Sequence, residues 1–241
     1  WCWKAGGASI QNTDGSITAQ VSANPTAGFS IVSYDGDATS GATVGHGLGK
    51  APKWIIVKER SPNNNNWPSY HAGAGNTKAL YLDLINAQGG DFAGAWNNTS
   101  PTTSVFSLGN SNETNRNGSP FIAYCWAEIE GFSKFGSYEG NNNADGPFIY
   151  CGFKPAWIMF KNLDSDTNWV MVDSSRDPIN SQYNDILFPD ANVQANTGAN
   201  KYLDFVSNGF KLRGTSSAVN AAVTYVFMAF AESPFQTANA K

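Results

Sequence analysis

One phrase occurs twice in this chain, and it decides what the chain can build. The segment Gly45-His-Gly-Leu-Gly-Lys-Ala-Pro52 leads into Trp54-Ile-Ile-Val-Lys58, and Cys151-Gly-Phe-Lys-Pro155-Ala leads into Trp157-Ile-Met-Phe-Lys161. Gly28-Phe29-Ser30 returns as Gly131-Phe132-Ser133 at the same offset of 103 residues as Pro52 to Pro155 and Trp54 to Trp157. Asn66-Trp67 matches Asn168-Trp169 at 102, and Ala127-Glu128 matches Ala231-Glu232 at 104. Drift of a residue or two is what loop insertions produce between duplicated domains. Solenoid repeats have periods of about 20–50 residues, so a period near one hundred implies duplication of a whole domain.

The boundaries that follow are a leading segment 1–27, a first repeat 28–130, a second repeat 131–235 and a tail 236–241. Residues 1–5 resemble the closing phrase of a repeat at 124–128. They predict a strand that either completes a sheet here or closes a repeat lying further upstream. Residues 16–21 alternate polar and apolar like an edge strand.

Each copy of the central phrase is an apolar run of strand length, opened by a Pro and closed by a Lys, which predicts a buried central strand. Leu80, Leu82 and Leu84 alternate with period two and predict a strand face. Further strands are expected at 29–36, 67–71, 105–109 and 121–127, and in the second copy at 132–138, 148–150, 169–173, 202–206, 210–213 and 223–231. No segment sustains a 3.6-residue period, so helix content should be low. The expected fold is all-β: two tandem antiparallel β-sandwiches of jelly-roll or lectin-like kind. Only 14% of residues are charged, against about 25% in an average domain, while Gly, Asn, Ser and Thr abound, as short strands joined by polar turns require. The Asn-rich tips at 63–66 and 141–143 are read as turns.

The net charge of −4, with no basic run, excludes a phosphate-binding surface, so nucleic acid is not an expected partner. No apolar run reaches the roughly 18 residues that membrane insertion needs. Cys2, Cys125 and Cys151 do not make an even disulfide set, and the second copy has Ala229 where the first has Cys125. A place that takes Cys or Ala suits a small buried residue, so inert core thiols are expected.

With the phrases at 28–36, 45–58, 66–71, 96–109 and 124–128 in view, the chain resembles an uncharacterised tandem-repeat β domain found in virion proteins of tailed bacteriophages of marine and freshwater bacteria. The resemblance spans nearly the whole chain. It implies a tail-fibre, spike or related adhesion protein of the virion and no known ligand; with the duplication and the weakly charged, β-rich composition it leads to the expectation of a non-enzymatic module, assembled with copies of itself as a homo-oligomer such as a trimer, beside other virion proteins and displaying loops towards a host surface polysaccharide. It brings no known catalytic residue, metal or cofactor. The second copy departs from the pattern at 149–152, where the Gly-His-Gly-Leu-Gly phrase is lost.

For chemistry, His46 and His71 are the two histidines, and neither sits in a nucleophile elbow or a metal-ligand spacing. His46 is read as a turn residue and His71 as a strand-end residue bonded to a neighbouring loop. Carboxylate pairs for glycoside hydrolysis would be Asp83 with Glu128 or Asp173 with Glu232. The pairs Asp35/Asp37 and Asp164/Asp166 resemble fragments of calcium loops without the downstream acid of a full motif, so no metal site is assigned. Trp and Tyr faces stack on sugar C–H surfaces. Trp54, Trp157, Trp67 and Trp169 recur between copies and are expected in the core. Trp96, with Tyr70 and His71, is therefore the expected ligand-binding surface. Two other readings stay open: a carbohydrate-binding portion of a secreted bacterial enzyme or surface filament, and a glycan depolymerase.

Overall fold

A computed structural model describes residues 2–62, 65–89, 92–176, 185–195 and 202–232. Trp1, the loop-tip residues Asn63 and Asn64, the expected end of the second repeat at 235 and the tail 236–241 lie outside them. The chain divides into two compact units, one of residues 1–82 and 88–128, the other of residues 83–87 and 129–241.

The first unit carries β1 (Ile10–Asn12), β2 (Ala19–Asn24), β3 (Phe29–Asp35), β4 (Thr43–Gly45), β5 (Trp54–Glu59), β6 (Pro68–His71), β7 (Leu80–Tyr81), β8 (Val105–Ser107) and β9 (Pro120–Trp126), with two single helical turns, α1 (Ala93–Trp96) and α2 (Asn112–Asn115). One antiparallel sheet runs β1-β2-β3-β9-β5-β6-β7, and a second pairs β4 with β8. The second unit carries β10 (Ser133–Glu139), β11 (Phe148–Tyr150), β12 (Trp157–Asn162), β13 (Val170–Asp173), β14 (Leu203–Val206), β15 (Gly209–Leu212) and β16 (Thr224–Phe230). Its sheets run β10-β16-β12-β13 and β11-β15-β14. The order β3-β9-β5-β6 is therefore built again as β10-β16-β12-β13, and β4/β8 as β11/β15.

The apolar phrase is central in both units, as its composition requires. β5 and β12 each pair on both sides, and every residue of β12 is buried. Ile55 and Val57 join Val32, Tyr34, Phe121, Ala123 and Cys125 in a cluster that also takes Val44 and Phe106 from the smaller sheet. In the second unit, Ile158, Phe160, Phe227 and Ala229 share a cluster with Ile149, Phe205, Phe210 and Leu212 of the smaller sheet. Burial of each valine, leucine, isoleucine or phenylalanine among them contributes about 1.5–3 kcal/mol. On the other face of β9, Trp126 stands between its cross-strand partners Phe29 and Trp54. Its ring stacks on Trp54 at 4.4 Å and lies 4.9 Å from Phe29.

Three details differ from the sequence reading. The expected strand over 79–84 shrinks to Leu80–Tyr81, because residues 83–87 leave for the second unit. Residues 2–5 pair with no strand; the slot that 124–128 fills between β3 and β5 is already taken by β9, and Trp3 packs edge-on against Trp126 at 5.6 Å instead. Finally, Phe29 faces Trp126 where Ser133, not Phe132, faces Phe230. The second copy has one more residue between Gly131 and Gly140 than the first has between Gly28 and Gly36, and the extra residue is absorbed by the turn in which Phe132 and Ser133 both donate to the Ile129 carbonyl.

Candidate functional site

The expected surface of Trp96, Tyr70 and His71 is corrected by their burial: they are 2%, 5% and 1% exposed. Trp96 and Tyr70 do meet, with ring centroids 6.0 Å apart, but inside the first core. Trp96 closes α1, which Asn97 and Asn98 end in left-handed conformation at φ 51° and 48°. That single turn swings the indole inward, and four helical residues are too few to leave a periodic signal. His71 ends β6 and accepts from the Gly73 amide through Nδ1 at 3.0 Å, as a strand-end residue should. His46 is fully buried: Nδ1 accepts from the Leu48 amide, so Nε2 carries the hydrogen and donates to the Thr102 carbonyl. Burial lowers its pKa and keeps it neutral.

The carboxylates accept backbone amides: Asp37 from Thr39 within its own turn, and Asp164 from Thr224 and Asp166 from Ala87 across distant segments. Asp173 accepts from the Ser175 and Arg176 amides. Asp83 belongs to the second unit and Glu128 to the first. Among the described residues no group of three or more His, Cys, Asp or Glu is placed to hold a metal. Cys125 and Cys151 are buried free thiols, the former pushed up to about 12 by burial, while Cys2 is exposed and departs from the core expectation.

What the two units share is a buried loop anchor that sequence reading missed. Asn115 donates to the Thr39 and Gly109 carbonyls and accepts from the Asp37 amide. Asn220 donates to the Asn143 and Gly214 carbonyls and accepts from the Asn141 amide. Beside each, a tyrosine from the matching strands β3 and β10 donates to the preceding carbonyl, Tyr34 to Thr114 and Tyr138 to Val219, both at 2.7 Å. Ser111-x-x-x-Asn115 and Ser216-x-x-x-Asn220 were the available signal. The lysines that close the central phrase are equally matched: Lys58 donates to the Asn65 carbonyl and Lys161 to the Thr167 carbonyl, each just before the repeated Asn-Trp.

The units differ on the outer face of the smaller sheet. In β11, Ile149 points into the core while Phe148 and Tyr150 are 47% and 63% exposed. The corresponding strand of the first unit has Thr43 and Gly45 flanking Val44. A glycine stands beside each ring: a β-carbon at Gly209 would come 3.1 Å from the Phe148 ring, and one at Gly152 would come 3.6 Å from the Tyr150 hydroxyl. Beside them on the ladder, Lys211 pairs with Phe148 across the strands and with Asp204 on its other side. Lys211 Nζ is 2.7 Å from Asp145, and Arg213 Nε is 2.6 Å from Asp204. The lost Gly-His-Gly-Leu-Gly phrase thus coincides with a gain of two solvent-facing rings.

Fold and surface together define an all-β protein of antiparallel sheets whose strand order is built twice, with an exposed aromatic face on the second copy. The chain belongs to the family described as Domain of unknown function (DUF7483), which matches residues 1–234. No curated protein and no solved structure matches it.

Proposed function

We propose that the chain is a non-enzymatic structural and adhesive module of a tailed-phage tail fibre or similar virion appendage, built as two tandem β-sandwiches of lectin-like kind, acting in a homo-oligomer and presenting a surface to host glycans. The observation that carries the adhesive part is the pair Phe148 and Tyr150, large apolar rings held in solvent at alternate positions of one strand. Exposed aromatics of this kind are binding material that a fold does not need. The structural part rests on the loop anchors made alike in both units, and the virion setting rests on the sequence resemblance. The same aromatic pair suits a glycan-binding portion of a secreted enzyme or filament, which expects a monomer.

The test is binding of fluorescently labelled protein to intact aquatic bacteria of candidate host strains, with the mass of the protein in solution taken by light scattering. Saturable binding by an oligomer is expected. A well-folded protein that binds none of the cells overturns adhesion for this segment, and binding by a monomer favours the secreted module.

A further inference from the structure

Resting on that adhesive reading, the geometry of β11 narrows the ligand. Residues two apart on a strand stand about 7 Å apart along it, on the scale of one sugar unit, and Phe148 and Tyr150 occupy two such places on the same side. Both rings are largely exposed, and Gly209 and Gly152 beside them put no side chain against either, so the surface presented is open and aromatic. Among the described residues, two cations beside it, Lys211 and Arg213, are already matched within the unit. Lys211 is held by Asp145 and Arg213 by Asp204, and Lys211 holds the exposed Asp145 carboxyl below its ordinary range. An acidic polymer meeting this face would have to displace carboxylates already in place, whereas a neutral polyol needs only hydrogen-bond partners at the rim, which these same groups offer.

We propose that the outer face of β11, β15 and β14 binds an uncharged, linear polysaccharide laid along β11, with Phe148 and Tyr150 each stacking on one sugar ring. The first unit, with Thr43 and Gly45 at the corresponding places, has no such site on its smaller sheet.

The full chain is run by affinity electrophoresis through gels containing neutral polysaccharides (glucan, mannan, galactan, xylan) or acidic ones (alginate, polygalacturonate), at low and high salt. Expected is retardation by at least one neutral polymer, unchanged by salt, with affinity cut about tenfold in Phe148→Ala and in Tyr150→Ala and kept in Phe148→Tyr and Tyr150→Phe. The side chains removed are solvent-facing, so the alanine variants should melt with the parent. Retention by acidic polymers alone, lost at high salt as screened charge pairs are, overturns the proposal, as does neutral binding that the alanine variants leave intact. On cells, binding that both alanine variants retain overturns this site while leaving the adhesive reading standing. Binding lost in the variants and destroyed by periodate treatment of the cells supports it; binding destroyed by protease treatment instead assigns the face to a protein receptor and overturns the saccharide. Absence of cell binding by the parent chain overturns the broader reading.

Discussion

At the residue scale, the two copies report on each other. Gly36 and Gly140 sit where a β-carbon would strike the backbone: 2.4 Å from the Arg116 carbonyl in one unit, 1.9 Å from the Ala221 carbonyl in the other. Two residues later the chain takes left-handed backbone in both, at Ala38 (φ 56°) and Asn142 (φ 50°), so that each amide can reach the carbonyl of its anchor, Asn115 or Asn220. Left-handed backbone costs an alanine about 1–2 kcal/mol and asparagine less. Ala38→Asn should therefore stabilise the first unit by about 0.5 kcal/mol, read as a rise in the urea midpoint at constant slope. The anchors themselves have larger effects. Asn220→Ala leaves the Asn143 and Gly214 carbonyls and the Asn141 amide without that partner in a buried setting. At about 1 kcal/mol or more per group, the loss should be about 3 kcal/mol. Chemical denaturation should show it in the second unit, and Asn115→Ala should do the same in the first.

At the element scale, the lysine near the end of the central strand sits in different environments in the two copies. Lys58 is half-buried and lies 5.5 Å from the Trp67 ring centre. Lys161 is fully buried, donating to the carbonyls of Ile85 at 2.8 Å and Thr167 at 2.7 Å. Burial lowers its pKa from 10.5 to about 8, against the opposing pull of Asp190 and Asp166. Because the unfolded chain keeps this proton up to its ordinary value, the unfolded state binds more protons between pH 8 and 10, and stability rises with pH across that window. A neutral amine retains the two hydrogens that both carbonyls need. Above pH 10 the sign reverses, since burial raises the phenols of Tyr34 and Tyr138 and the folded state then holds protons that the unfolded one releases. Urea midpoints for the second unit should climb from pH 8 toward 10 and fall beyond it, and Lys161→Met should flatten the climb.

At the scale of the whole molecule, the duplication is not a cut between two chain halves. Asp83–Ala87 lies within the first repeat of the sequence but belongs to the second unit. There its Ile85 carbonyl accepts from both Lys161 and the Thr167 amide, and its Ala87 amide donates to Asp166. A fragment starting at Ile129 loses those three bonds and leaves the Lys161 ammonium with one carbonyl fewer. It should unfold more easily than the same unit in the full chain, by about 2–4 kcal/mol, and equilibrium unfolding of fragment and full chain side by side measures the difference.

The repeat, the all-β class, the central strands Trp54–Glu59 and Trp157–Asn162 and most of their neighbours were legible in the residues, because alternation, β-branching and Pro or Gly punctuation act over a few positions and mark strands locally. Exposure was not legible. Trp96, Tyr70 and His71 look like surface material only until a four-residue helical turn and a cross-strand register bury them, whereas Phe148 and Tyr150, at the spot where the second copy abandons the pattern of the first, face solvent. Which side of a strand meets the core is decided by pairing: one residue of register turns every side chain to the opposite face. Pairing partners such as Phe210 for Ile149 lie some sixty residues away. The segment thus determined what it could form, and only the assembled sheets decided which of its side chains remain for a ligand to meet.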